Sequence, residues 1–124
     1  MTERVLAEIS MNHHKRLEVE VASDQYQVVQ AGLGQLDFPI LPTRKELLKN
    51  YALVGGRYCS VQGGLAAQLK VRDRVSGELL TLYVTHLTDE LERIDPLDAN
   101  FDGVHIRLWQ ENGRFFALAR DRSE

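Results

Sequence analysis

Between Tyr51 and His86 the chain alternates apolar and polar residues with the two-residue period of β-strands. Leu80, Leu82 and Val84 interleave with Thr81, Tyr83 and Thr85, and Ala67, Leu69 and Val71 with Gln68, Lys70 and Arg72. Gln62-Gly63-Gly64 and Val75-Ser76-Gly77-Glu78 are turn signals between these runs, so an antiparallel meander is predicted, with one core side and one wetter side. Val104 to Gln110 alternates strongly again. Glu111-Asn112-Gly113-Arg114 then supplies an Asn-Gly hairpin turn, Phe115 to Ala119 returns as a last strand, and Asp121 to Glu124 reads as a polar tail.

The period changes upstream of the meander. Val5, Leu6, Ile9 and His13 follow helical spacing, which predicts a helix from residue 3 to about 16, with Thr2 as its N-cap and Glu3 in its first turn. That apolar stripe is too short to stand alone, so it must dock on the sheet or on another chain. Leu17 to Val21 reads as a short edge strand or an extended connector. Ser23-Asp24 caps a second predicted helix with Tyr26, Val28, Val29 and Leu33 on its apolar face; Gly32, Gly34, Pro39 and Pro42 end it. Thr43-Arg44-Lys45-Glu46 has capping-box form and opens a short helical turn through Lys49. Leu87 to Asn100 carries Asp89, Glu90, Glu92, Asp95 and Asp98 without a period or a calcium-loop spacing, and is expected to be a solvated, mobile loop. The pattern as a whole predicts an α+β domain: an antiparallel sheet of about five strands (meander plus C-terminal hairpin) with two N-terminal helices packed on one face. Residues 1–124 read as a single domain, its helical part about 3–49 and its sheet part about 51–119.

Composition narrows the function classes. A chain of 124 residues with 44% hydrophobic and 27% charged residues can bury a core. A net charge of -3 and a pI near 5.8 give no electrostatic footprint for nucleic acid. Cys59 is the single cysteine, which excludes an intrachain disulfide and is expected to be a small buried hydrophobe. No apolar run approaches the ~18 residues of a membrane span, and Met1-Thr2-Glu3-Arg4 lacks signal-peptide form. Membrane insertion by this chain is therefore not expected.

Candidate chemistry is sparse. His13 and His14 are adjacent on a helix and point about 100° apart, so they cannot share one metal ion; a solvated pair at a helix C-terminus is expected. Gly55-Gly56-Arg57 lies inside a strand, which disfavours a phosphate loop and predicts a bulge or a close backbone approach. Ser60 and Ser76 lack a nucleophile-elbow context, His86 ends a strand, and His105 faces away from Val104 and Ile106. Trp109, Phe115 and Phe116 are expected to form a cross-strand aromatic cluster, or, if exposed, a partner surface. No catalytic residue, cofactor site or metal site is predicted. Gly55, Gly56, Arg57, Asn112 and Gly113 are read as structural motifs.

Leu36-Asp37-Phe38, Leu53-Val54-Gly55-Gly56-Arg57, Leu65-Ala66-Ala67-Gln68-Leu69, Leu80-Thr81-Leu82-Tyr83-Val84 and Leu108-Trp109-Gln110 to Phe115-Phe116-Ala117-Leu118 occur in that order. This succession resembles the extracytoplasmic C-terminal half of the single-pass transmembrane anti-sigma factors of bacteria, over about Val5 to Ala119. The sequence departs from that family at Gln30-Ala31-Gly32-Leu33, where a P-W-F segment is common. The family's cytoplasmic zinc-associated domain and its membrane span have no counterpart here. The resemblance implies a non-enzymatic regulatory or sensor domain, linked to a sigma factor only indirectly, through an N-terminal domain that this chain lacks. It implies a periplasmic location for a fragment of a membrane-anchored regulator, whereas a complete chain would be cytoplasmic. The alternative is a stand-alone small-molecule or protein-binding module of the same fold. Val5, Leu6, Ile9, Trp109 and Phe115 are the expected surface for a protein partner or self-association.

Overall fold

A computed structural model describes residues 1–122. In chain order the elements are helix α1 (Thr2–His14), strand β1 (Val21–Ala22), helices α2 (Tyr26–Gly32) and α3 (Lys45–Asn50), strands β2 (Tyr51–Val61), β3 (Gly64–Asp73) and β4 (Leu79–His86), helix α4 (Asp89–Glu92), and strands β5 (Leu97–Phe101), β6 (Val104–Glu111) and β7 (Arg114–Asp121). The class is α+β, and all strands join one antiparallel sheet of order β1-β2-β3-β4-β7-β6-β5. The sheet has seven strands, not about five.

Both extra strands come from segments whose pattern is weak. β1 pairs Val21 with Gly56 and Ala22 with Gly55, at the end of the stretch read as edge strand or connector. β5 arises within the segment expected to be a mobile loop. There the Thr88 hydroxyl accepts the Leu91 N–H and caps α4, Leu91 and Ile94 are buried, and β5 pairs along β6 from Leu97–Leu108 to Phe101–Val104. An Asp102-Gly103 turn closes that hairpin with both φ angles positive (51° and 77°), the backbone that a two-residue type I′ turn demands. Asn112-Gly113 (46°, 73°) and Gln62-Gly63 (50°, 78°) turn the same way.

Each face of the sheet carries its own core. Leu82, Val84, Phe116, Leu118 and Trp109 of β6 point to one side and join Val29, Leu33, Phe38, Ile40 and Leu47 from α2, α3 and the segment between them. Tyr83, Phe115, Ala117 and Ala119 point to the other and join Val5, Leu6 and Ile9 of α1 with Leu91 and Ile94. The first two helices therefore lie on opposite faces, not on one. The three aromatics of the last hairpin divide in the same way. Trp109 stacks on Phe116 at 5.3 Å between centroids, 6° from parallel, while Phe115 faces α1.

The sheet curls around α1. Glu8 reaches Gln62 at the end of β2, and Ser10 donates to the Phe101 carbonyl in β5, with four strands between. In a flat sheet those strands would stand about 24 Å apart, whereas a helix with side chains is about 10–12 Å across. Only a curled sheet brings β2 and β5 to one helix.

Gly55 and Gly56 mark the closest approaches in β2. The ladder shifts register between Leu53 and Gly55, and a Cβ on Gly55 would fall 2.5 Å from the Val21 carbonyl oxygen. A Cβ on Gly56 would meet Val29 at 2.7 Å and Leu69 at 2.8 Å. Bulge and close approach are thus both present. Arg57 donates across to the Glu18 carbonyl. Helix capping departs from expectation. Met1, Gln25 and Arg44 stand at the N-caps of α1, α2 and α3, without a side-chain bond, in place of Thr2, Ser23-Asp24 and Thr43. β7 runs through Asp121, so the expected tail is shorter, and Ser123 and Glu124 lie outside the described residues.

Candidate functional site

Three polar clusters organise the molecule. The first clasps the end of α1. His13 is 4% exposed, against the expected solvated pair, because it sits one turn after Ile9 on the same stripe and faces the sheet. Its Nε2 lies 2.8 Å from an Asp121 carboxylate oxygen and its Nδ1 2.8 Å from the Thr81 hydroxyl. A carboxylate only accepts, so neutral His13 holds its proton on Nε2 and accepts from Thr81 at Nδ1. Arg16 donates to the other Asp121 oxygen at 2.9 Å. That hydrogen bond comes first among the interactions that hold the Asp121 carboxyl below its ordinary range; His13 adds to it. Arg16 itself has φ 48°, a left-handed backbone at the exit of α1 that a side-chain-bearing residue adopts at a cost. His14 stays half exposed against Asp102.

The same helix is held along its length. Glu8 accepts the Gln62 N–H at 2.8 Å and its side-chain amide at 2.9 Å, which ties α1 to the β2–β3 turn. Asn12 donates to the Cys59 sulfur at 3.6 Å. Burial pushes the half-buried Cys59 thiol up, which keeps it protonated.

The second cluster locks the opposite face. Glu111 accepts from the Thr43 N–H and hydroxyl, each at 2.6 Å, and from the Trp109 indole at 2.7 Å. Burial raises the Glu111 carboxyl, but these donors and Arg114 outweigh it and hold it below the ordinary range. Arg114 is 3% exposed and donates to the Pro39 and Leu41 carbonyls at 2.8 and 2.7 Å. Gln30 bonds Phe38 and Ile40 from the other side. The irregular segment between α2 and α3 thereby satisfies backbone groups through side chains. Thr43, read as a capping residue, serves this lock.

The third cluster lines an open cleft of about 470 Å³ between β4, α4 and the β2–β3 turn. His86 Nε2 lies 2.6 Å from Asp37, with Phe38 edge-on to its ring at 4.9 Å. Both polar side chains are largely exposed. Ser60 and Ser76 are not among the residues lining this cleft. His105 lies across the molecule, 3.6 Å from Asp98. Among the described residues, no three His, Cys, Asp or Glu side chains converge as a metal site would require.

The proposed partner residues occupy other places. Val5, Leu6, Ile9, Trp109 and Phe115 are all buried in the two cores, between 0% and 7% exposed, so in this conformation they hold the fold together and present no surface. Asn112 and Gly113 form the tip of the β6–β7 hairpin. No described helix is long and apolar enough to cross a membrane. Comparison of the chain with protein-family models, with curated proteins and with solved structures finds no match.

Proposed function

We propose that this chain is a non-enzymatic regulatory domain in which α1 is the moving part, as the resemblance to the outer half of membrane-anchored anti-sigma factors suggests. One observation carries the reading. α1 sits inside the curl of the sheet and is held by side chains from β2, β4 and β7 and by the Phe101 carbonyl of β5, with no strand ladder to fix it. Anything that changes the curl changes how well α1 fits, and anything that pulls α1 changes the sheet. That is the differential interaction a two-state regulator needs. The interaction with a sigma factor is indirect in this reading and runs through a segment that precedes α1. A protein partner or a second copy would meet Val5, Leu6 and Ile9 only when α1 leaves its seat.

The test is an epitope tag at the C-terminus of the chromosomal gene, followed by separation of membrane and soluble fractions and an intact-mass measurement. A longer, membrane-bound product from a gene beside a sigma-factor gene supports the regulator. A soluble product of about this length retires the anti-sigma role and leaves the alternative, a stand-alone small-molecule or protein-binding module.

A further inference from the structure

The two edges of the sheet are finished differently. At the β1 edge the strand is two residues long, the Glu20 carboxylate accepts the Tyr58 N–H at 2.7 Å, and Arg57 donates to the Glu18 carbonyl at 2.7 Å. A short strand and side chains that take up edge groups both blunt an edge. The β5 edge carries neither device. Its five residues keep an unbroken register along β6, with no bulge, proline or lysine. Phe101 and Val104 close the two-residue turn as a hydrogen-bonded pair, so Leu97, Ala99 and Phe101 turn their N–H and C=O groups toward β6. Those of Asp98 and Asn100 point away from the sheet, and among the described residues nothing bonds to them.

We infer that this edge docks a second copy of the chain, by antiparallel pairing of β5 with β5 about a two-fold axis at Ala99. Outward groups must meet outward groups, which leaves three registers. Asp98 opposite Asp98 sets like charges side by side, and this register, like Asn100 opposite Asn100, overlaps only three of the five residues. Asp98 of each copy opposite Asn100 of the other overlaps all five and makes two backbone hydrogen bonds at each such pair. The side chains agree with that register. Asp98 Oδ1 faces Arg107 at 3.1 Å, while Oδ2 has no partner among the described residues and can accept from the Asn100 amide of the other copy. On the face that α1 covers, half-buried Leu97 of each copy lies beside half-buried Phe101 of the other. This self-complementarity is what favours a second copy over an unrelated strand. The blunted β1 edge stops further addition, so the assembly closes at two. A five-residue edge covers less than the ~800 Å² per partner of a standard interface, so the association is weak. The dimer goes beyond the regulatory reading and does not require α1 to leave its seat.

The experiment is sedimentation of the full chain from about 10 µM to about 1 mM, with backbone amides followed by NMR over the same range. A monomer–dimer equilibrium without larger species is expected, and the Asp98 and Asn100 amides should shift and gain exchange protection as concentration rises. Asn100→Asp sets carboxylates against each other at both pairs and should weaken the dimer about tenfold. Exchanging the two residues, Asp98→Asn together with Asn100→Asp, should restore it. Asn100→Pro removes an outward N–H and leaves the bonds to β6 in place, so it should abolish the dimer. Both positions are exposed, so the two charge variants decide the matter if the proline variant fails to fold. A monomer at about 1 mM, growth beyond two copies, or undiminished association in Asn100→Asp would each overturn the inference. A charge exchange that does not restore the dimer, or shifts confined to residues outside β5, would overturn it as well.

Discussion

The two faces of the sheet are built on different principles. On the face beneath α2 and α3 the core is almost wholly apolar, with Trp109 stacked on Phe116 and each ring also covered by a guanidinium, from Arg44 at 4.8 Å and Arg114 at 4.9 Å. Its buried ion pair, Glu111 with Arg114, draws on Thr43, Trp109 and the Pro39 and Leu41 carbonyls, and only Arg114 Nε is left buried without a partner on this face among the described residues. On the face beneath α1 the core is smaller in side chain, and polar groups run through it: Ser10, Asn12, His13, Gln68, Thr81 and Tyr83. Some of these are clasps and two are unpartnered. One face is built to stay shut. In the proposed reading the other holds a helix that can be released, and a polar interior of that kind is tolerated where function requires it.

The sharpest way to break this comparison is to damage the shut face. Trp109→Ala removes the stacked ring and the indole donor to Glu111, and should cost about 3–5 kcal/mol in urea denaturation. The loss should spread to every strand, since this face supports the whole sheet. Glu111→Gln comes next. It leaves the buried Arg114 without its counter-charge and should cost about 3 kcal/mol, again as a shift of the whole unfolding transition.

Damage to the α1 face should behave differently. Ile9→Ala leaves a cavity under the helix and should cost about 2–3 kcal/mol, seen mainly as faster exchange of α1 amides and only in part as a shift of the global midpoint. Unchanged exchange in α1 would remove the distinction between the faces.

Acid provides a smaller, graded test. The Glu111 and Asp121 carboxyls both lie below their ordinary range in the folded chain. Their stabilisation is therefore complete above the unfolded carboxylate range of about 4 and is lost as pH falls through the lower folded values. Glu111→Gln should flatten most of that acid slope. Asp121→Asn should flatten less, because Asp121 and Arg16 are both partly exposed and such pairs contribute at most about 1 kcal/mol. Denaturation midpoints measured from pH 7 to pH 3 in both variants check the order.

Much of the fold was legible in the hydrophobic pattern. The meander, the Asn112-Gly113 hairpin, the α1 stripe and the tight approach at Gly55-Gly56 each have a local cause, and each occurs where the pattern puts it. What was hidden depends on distant partners. β1 has two residues and exists only because β2 offers an edge there. β5 was masked by acidic residues, although Asp102-Gly103 was a hairpin signal in plain view and Leu97, Ala99 and Phe101 alternate with Asp98 and Asn100. The face of each helix was not legible, since an apolar stripe does not say which side of a sheet it covers. His13 shows the same limit. Its place on the stripe was visible, but the pairing with Thr81 and Asp121, 68 and 108 residues away, was not. The unpartnered Gln68 and Tyr83 read as ordinary outward positions in an alternating strand until α1 is laid over them.

The central claim is that α1 opens apart from the rest of the sheet, and native-state hydrogen exchange across a urea series tests it most directly. The account predicts that amides from Val5 to His13 exchange through a local opening of lower free energy and weak urea dependence, while those of β4 and β7 exchange only by global unfolding. A single free energy and a single urea dependence shared by α1, β4 and β7 would contradict it.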